Sequence, residues 1–198
     1  MKLTKTNKVL IAIVVVIVLL VGCGSSQYNG MVKAEEGLTT AWSNVETQYQ
    51  RRADLIPNLV NTVKGYAAHE EGTFKELVEA RAKATQITVD PTQLTPEKIT
   101  EFQAAQGQLS AALCKLLAIQ ENYPELKANE NFLELQAQLE GTENRINESR
   151  RIYNQTVQEY NLKVRTFPAN IFAGIFGFTS KTKFEAEEAA KQAPKVEF

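Results

Sequence analysis

Arg51, Arg52 and Asp54 are the most distinctive group of charges in the body of the chain. Arg52 occupies a position where a helical repeat calls for an apolar residue, so its guanidinium would need a carboxylate partner if it is buried. Glu143 or Glu140, on a later helix, could supply that carboxylate. The pattern therefore predicts a structural ion pair or a partly buried arginine stem. The alternative hypothesis makes Arg51 a docking point for a partner or an anionic lipid head group.

The other reactive side chains do not form an active site by sequence. His69 and Glu70 are adjacent, as in a proton-transfer pair, but the sequence places no nucleophile, second base or glycine-rich phosphate loop beside them. His69 is the single histidine, so a metal site would need an unusual set of carboxylates. Cys114, among leucines, is expected to be a buried small residue. We expect no catalytic residues, no metal and no cofactor.

The thiol of Cys23 is a candidate for lipidation. The residues Leu20-Val21-Gly22-Cys23 resemble the lipobox of bacterial lipoprotein precursors, in which the chain is cut before an acylated cysteine. That chemistry needs a small residue before the cut and a thiol after it, which Gly22 and Cys23 supply. The alternative is an uncleaved membrane helix with Cys23 at its edge. Both interpretations give a membrane tether.

The segment before Cys23 has the layout of a secretory signal or a membrane anchor. Three lysines precede an uninterrupted apolar run from Val9 to Val21, and the first acidic residue is Glu35. The basic side stays in the cytoplasm, so we expect the body of the protein to be exported. The run has about 13 residues, whereas a spanning helix usually needs about 20. Val9, Leu20 and Val21 are expected to contact the membrane.

Composition indicates a helical protein without affinity for nucleic acid. Of the 198 residues 43% are hydrophobic, and Ala, Leu, Glu, Gln, Asn and Lys dominate after residue 30. The formal net charge is −1 and no basic block occurs, so the chain lacks the electrostatic footprint of a nucleic-acid binder. Two distant cysteines exclude a disulfide framework.

Apolar periodicity predicts four amphipathic helices, two long and two shorter. Pro57 is expected to kink or restart the first long helix, with Asp54 as a cap. Thr95 and Pro96 are expected to open the third helix, which runs to about Glu121. The apolar positions of the two long helices are Leu38, Trp42, Val45, Tyr49, Ile56, Leu59, Val63 and Tyr66, then Phe132, Leu135, Leu139, Ile146, Tyr153, Val157, Tyr160 and Val164.

We expect an all-α antiparallel four-helix bundle preceded by the membrane segment. The predicted divisions are a signal or anchor at 1–23, a linker at 24–27, the bundle at 28–166, and an apolar segment with a charged tail at 167–198.

An uncharged segment at 169–178 follows the last helix. Four alternating helices return the chain to the bilayer, and Phe172, Ile175 and Phe176 belong to one face of a short helix together with Ile171. One hypothesis places this face in the membrane interface. The other folds it over the open end of the bundle as an apolar lid. The tail from Lys181 is expected to be one last turn or a flexible end.

Several blocks together resemble the LemA family. The resemblance covers essentially everything from Tyr28 onward. It implies a single N-terminal membrane segment, an outward-facing domain and a four-helix bundle, and it implies no catalytic activity. The lipobox-like ending departs from the plain anchor of many relatives, which affects the mode of attachment. The blocks include Ala41-Trp42-Ser43-Asn44-Val45, Gln50 through Val60, Val63-Lys64-Gly65-Tyr66-Ala67, Tyr153-Asn154, Tyr160-Asn161 and Phe167 through Phe178.

Two functions of different class remain open from the sequence. The first is a noncatalytic scaffold of the bacterial cell envelope, tethered with its domain on the extracytoplasmic side, which binds an envelope protein or self-associates. The second is a ligand or lipid carrier, or a hydrolase, with a site inside the bundle. The second function needs convergent polar side chains at core positions, and Arg52 and Thr142 are the two that qualify.

Overall fold

The computed structural model describes residues 5–91 and 94–185, and this part of the chain is helical with no strand. It contains six α-helices and a short 3-10 helix. The predicted all-α class is confirmed for these residues, whereas the four-helix bundle is not, because α4 and α6 are additional helices. In chain order the elements are α1 (Lys5–Lys64), α2 (Glu71–Gln86), α3 (Pro96–Ala118), the 3-10 helix (Ile119–Asn122), α4 (Pro124–Lys127), α5 (Glu130–Arg165) and α6 (Ala169–Phe176).

Helix α1 continues through residues 24–27, which the sequence assigned to a linker. Small polar residues usually favour a loop, but here local and tertiary contacts support the helix. The Ser25 hydroxyl donates to the Val21 carbonyl at 2.8 Å, and Gly24 is buried against Phe172. The contacts of neighbouring elements therefore override the loop preference of these residues.

The same helix also continues past Pro57. Ile56 and Leu59, on either side of the proline, are both buried in one apolar cluster, and this packing holds the helix on both sides of the missing backbone donor. Asp54 accepts a hydrogen bond from the Gln50 side chain at 2.7 Å, one turn earlier. It therefore lies inside a continuous helix and does not cap a new one.

Caps explain where α3 and α5 begin. The Thr95 hydroxyl accepts from the Lys98 backbone N–H at 3.4 Å and Pro96 is the first helical residue, as predicted. Asn129 accepts from the Phe132 N–H at 2.9 Å and starts α5 in the same way.

The chain divides into two compact units, Met1–Leu38 with Thr156–Lys181 and Thr39–Gln155 with Thr182–Phe198. Among the described residues, each unit has its own buried side chains. In the first unit these include Met31, Leu38, Val157, Tyr160 and Val164. In the second unit they include Trp42, Ile56, Leu59, Phe74, Leu77, Phe102, Leu109, Leu116, Phe132, Leu139 and Tyr153.

Candidate functional site

The apolar start of α1 is exposed along its length. Val9, Leu20 and Val21 are 60%, 58% and 63% exposed, and the residues between them are similarly open. In the described part of the chain, α1 is the one helix that is long and apolar enough to cross a membrane, judged by length and composition. Cys23 follows this run as a free, exposed thiol. The α1 residues predicted to contact the membrane and the predicted lipidation site, Cys23, therefore lie on one accessible stretch.

Helix α6 packs against α1 just after this run. A Cβ built on Gly24 would lie 3.0 Å from the Phe172 ring, so the absence of a side chain at Gly24 permits the close approach. The Tyr28 ring makes edge contacts with Phe176 and Phe178, with centroids 4.9 and 5.7 Å apart. Gly177, at φ 79°, ends the helix in the left-handed conformation that glycine adopts easily.

An open groove of about 640 Å³ lies between the two helices in this unit. Leu20 and Val21 contribute to it from α1, and Phe172, Ile175 and Phe176 contribute from α6. The three α6 residues predicted to contact a membrane thus lie beside the last apolar residues of α1.

Arg52 is almost fully buried in the second unit, at 2% exposure. Its guanidinium donates to Ser110 Oγ at 2.7 Å and to Glu143 Oε2 at 3.2 Å. It also donates to the side-chain and backbone oxygens of Gln106, at 2.7 and 3.2 Å. The Tyr49 ring covers it, with 5.1 Å from the guanidinium carbon to the ring centroid. Of the two carboxylates considered from the sequence, Glu143 is the one in contact.

This arrangement leaves little room for a ligand beside Arg52. The adjoining cavity measures about 20 Å³, which is space for about one water molecule. Thr142, the other buried polar residue proposed for an interior site, donates its hydroxyl to the Gln138 carbonyl at 2.7 Å. Burial raises the pKa of the Tyr49 phenol, which keeps it neutral beside the arginine. The geometry fits a structural polar cluster.

Gln106 and Ser110 are partners of Arg52 that were not predicted from the sequence. A signal for Gln106 was present, since it lies on the apolar face of α3 between Phe102 and Leu109 and is buried. A buried amide at such a position needs a hydrogen-bond partner.

Arg51 and Asp54 point away from this cluster and are exposed. Both line an open groove of about 820 Å³ in the second unit. Leu55 and Ile87, both partly exposed, also line it, together with core residues such as Tyr49, Phe102 and Leu109 that are at most 6% exposed. The two charged residues therefore border a surface with apolar contact area, and Arg52 does not share that surface.

The segment after α6 has no regular secondary structure, yet α5 fixes it through asparagine side chains. Asn154 accepts from the Phe184 N–H at 2.8 Å and donates to the Phe184 carbonyl at 3.1 Å. Tyr153 donates to the Thr182 carbonyl at 3.0 Å. The Phe184 ring stacks on Trp42, with centroids 5.6 Å apart and an interplanar angle of 10°. Residues up to 185 are thus neither a last turn nor a free end, and 186–198 lie outside the described residues.

In the first unit, Asn161 holds Lys181 with the same pair of hydrogen bonds, both 2.8 Å long. The Lys181 ammonium also pairs with Glu35 at 3.2 Å and lies 5.9 Å from the Tyr160 ring centroid. Tyr160 is fully buried and its hydroxyl has no hydrogen-bond partner among the described residues. Burial, with a contribution from the Glu35 carboxylate, raises the pKa of Tyr160 to about 12.

The remaining reactive residues lie apart from these features. His69 is exposed in the turn between α1 and α2, and Glu70 accepts from the Tyr123 hydroxyl at 3.4 Å. Cys114 is exposed, so the prediction of burial was wrong, because it points away from the core face that Leu113 and Leu116 form. Within residues 5–91 and 94–185, no three metal-binding side chains of His, Cys, Asp or Glu cluster together.

The structure thus defines an all-α protein with a candidate membrane helix at its N-terminal end. The LemA family model matches residues 41–198, and the chain belongs to the LemA family. The resemblance found in the sequence is confirmed.

Magnetosome proteins MamQ 2 and MamQ 1 of Paramagnetospirillum magneticum are each 26% identical to this chain, over 82% of it. The match spans 66% of the length of each MamQ relative, slightly less than two thirds. Protein LemA of Metamycoplasma hominis is 24% identical, over 81% of this chain and 69% of its own length. None of these three names states an enzymatic activity.

Proposed function

We propose that this protein is a membrane-tethered, noncatalytic scaffold of the bacterial cell envelope, with its helical domain on the extracytoplasmic side. The observation that carries the proposal is the exposed apolar stretch from Val9 to Val21, which is part of the same helix as the buried residues that follow it. Such a stretch is stable in lipid and unfavourable in water. The basic residues that precede it in the sequence favour this orientation.

The scaffold role also draws support from the buried polar cluster. Arg52 meets Ser110, Gln106 and Glu143, so the most buried charge of the second unit is engaged within the chain. A carrier or hydrolase with an interior site would need such a group to face a ligand-sized cavity, and about 20 Å³ adjoins it. We therefore assign the function to the surface of the protein, with the buried polar cluster in a structural role.

We assign partner docking to the groove bordered by Arg51 and Asp54. It combines two exposed charges of opposite sign with the partly exposed side chains of Leu55 and Ile87, and such a mixture of polar and apolar groups is typical of a protein-binding surface. An envelope protein or a second copy of the chain would place an apolar side chain in the groove and polar groups at its rim.

The proposal is tested by site-specific crosslinking in native membranes. A photoreactive amino acid replaces Arg51, and a matched variant carries it at Glu125, which is exposed on α4. We expect a reproducible protein adduct from position 51 and none from position 125. Equal adducts at both positions would contradict docking at this groove, whereas adducts with lipid or glycan alone would favour the carrier.

Attachment through an acylated Cys23, with the chain cut before it, is the alternative to the uncleaved helix as the tether. The thiol is exposed, as acylation requires, and it immediately follows the apolar run. If Cys23 is acylated, labelling cells with a fatty-acid analogue marks the wild type and leaves Cys23→Ser unmarked, with Cys114→Ser as the control because its thiol is also exposed. Absence of label on an intact wild type would leave the uncleaved helix as the tether.

A further inference from the structure

Helix α6 turns one apolar face outward and the opposite face inward. Ile171 and Ile175, four residues apart and so on one side of the helix, are 53% and 69% exposed. Ala169 and Ala173, on the other side, are buried. Phe167, just before the helix, is 75% exposed. No residue of α6 is charged, and Asn170 is its one polar side chain, so the face formed by Ile171 and Ile175 is apolar.

This face is continuous with the apolar surface of α1. Phe172 contacts Gly24, and the groove between the helices includes Leu20 and Val21, the last aliphatic residues of the run. Helix α6 therefore packs against α1 at the point where the apolar run ends. If the run lies in hydrocarbon, α6 is at the depth of the headgroups.

The charges that precede α6 fit the same location. Lys163 and Arg165, both exposed, are the basic residues in the last turn of α5. Cations at a membrane surface are attracted to the phosphates of the headgroups. An apolar face bordered by basic residues is the pattern of a helix lying in the interface.

We propose that α6 is a second membrane contact, lying in the headgroup layer of the bilayer that holds the start of α1, with Ile171 and Ile175 towards the acyl chains. This inference rests on the proposed tether. The exposure of these two isoleucines argues against a lid, because a lid would bury them in protein. The occupant of the face is lipid, and a second copy of the chain is the competing occupant.

Depth-dependent fluorescence quenching of the full-length protein in vesicles tests this inference. Ile175→Trp replaces an exposed side chain, so the packing of α6 on α1 is preserved. The vesicles contain phosphatidylcholine and phosphatidylglycerol, with bromine atoms either near the headgroup or deep in the acyl chain. The wild type supplies the background emission of Trp42, the single tryptophan. The matched control is Val78→Trp on α2, where the native residue is apolar and 54% exposed.

We expect the tryptophan at position 175 to emit at shorter wavelength than the one at position 78. It should also lose more emission to brominated lipid, most strongly with bromine near the headgroup. Quenching at 175 no greater than at 78 would overturn the inference. A blue shift without quenching, varying with the protein-to-lipid ratio, would assign the face to a second copy and would equally overturn it.

Flotation of the same vesicles separates this inference from the tether. A protein that floats with lipid but shows no quenching at 175 retains its tether and lacks the second contact. A full-length protein that fails to float contradicts the proposed function itself.

Discussion

The surroundings of Arg52 and the outer face of α6 reverse the usual distribution of polar and apolar groups in opposite ways. In the first, a guanidinium at 2% exposure is buried, and both of its terminal nitrogens donate to acceptors of its own chain. In the second, isoleucines at 53% and 69% exposure face outward. A buried charge with internal partners stabilises the fold, whereas an exposed apolar face obtains its contacts from another molecule. Arg52 therefore has a structural role, whereas the outer face of α6 is available for interaction.

Removal of the buried arginine should give the largest effect. Arg52→Ala deletes a packed side chain and leaves the oxygens of Gln106 without their donor, so we expect a loss of about 4 kcal/mol in the free energy of unfolding. Urea denaturation of the full chain in detergent, followed by circular dichroism, measures it. Arg51→Ala is the matched control and should change stability by less than about 0.5 kcal/mol, because Arg51 is exposed.

Substitution of Glu143 tests how much the ion pair contributes to the stability of the Arg52 cluster. Its side chain is 48% exposed, so solvent weakens its attraction for Arg52, and Glu143→Gln should cost only about 1 kcal/mol. A loss as large as that of Arg52→Ala would show that the ion pair dominates the cluster and that the neutral hydrogen bonds contribute little.

Phe184 and Phe167 test whether the exposure of a side chain determines how much it contributes to stability. Phe184 is 6% exposed and stacks on Trp42, so Phe184→Ala should cost about 3 kcal/mol. Phe167 is 75% exposed, and Phe167→Ala should change stability in detergent by less than about 0.5 kcal/mol. Similar losses from both substitutions would contradict the division into buried structural and exposed interacting residues.

The asparagine that holds Phe184 should show a smaller effect. Asn154→Ala removes two hydrogen bonds to one backbone residue, which predicts a loss of about 1 to 2 kcal/mol. Hydrogen exchange at the Phe184 amide should accelerate, since its acceptor is lost. Asn154→Asp keeps the acceptor and should preserve most of the protection, and faster exchange in that variant would point to the donor as the main contact.

The smallest effect at neutral pH is expected for Tyr160→Phe, because the hydroxyl has no partner among the described residues. The raised pKa of about 12 means that the fold favours the neutral phenol. Its contribution is therefore complete below the unfolded pKa of about 10 and is lost as the pH rises towards about 12. Between those values the wild type should lose more stability than Tyr160→Phe, as measured by denaturation at several alkaline pH values. Parallel losses would contradict a buried, neutral phenol.

The sequence predicted those parts of the fold that depend on periodicity. The helical class, the cap at Thr95 and the need of Arg52 for a carboxylate follow from spacing along one helix. Periodicity predicted the exposure of single residues less reliably. Adjacent residues are separated by about 100° around a helix, so a difference of one position decides whether a side chain such as Cys114 or Phe172 is exposed or packed. Cys114 is exposed, and Phe172 packs on Gly24.

The rest could not be predicted because its partners are distant in the chain. Phe184 belongs to no periodic apolar pattern in the sequence, and its position depends on Asn154 and Trp42. The composition of residues 24–27 predicted a linker because small polar residues favour loops, whereas the packing of α6, which is distant in the chain, supports a continuous helix there. Gln106 was overlooked because a glutamine on an apolar face has no defined partner until three helices meet.

The partners of Arg52 also determine how the helices of the second unit align. Helices that meet through a repeating apolar stripe can slide by about seven residues and still pair leucine with leucine. Such a slide of α1 would bring Arg52 away from Ser110, Gln106 and Glu143 and set its charge among aliphatic side chains. A shifted register therefore leaves the guanidinium without these partners. One polar position thus favours a single alignment of helices whose apolar pattern alone would allow several.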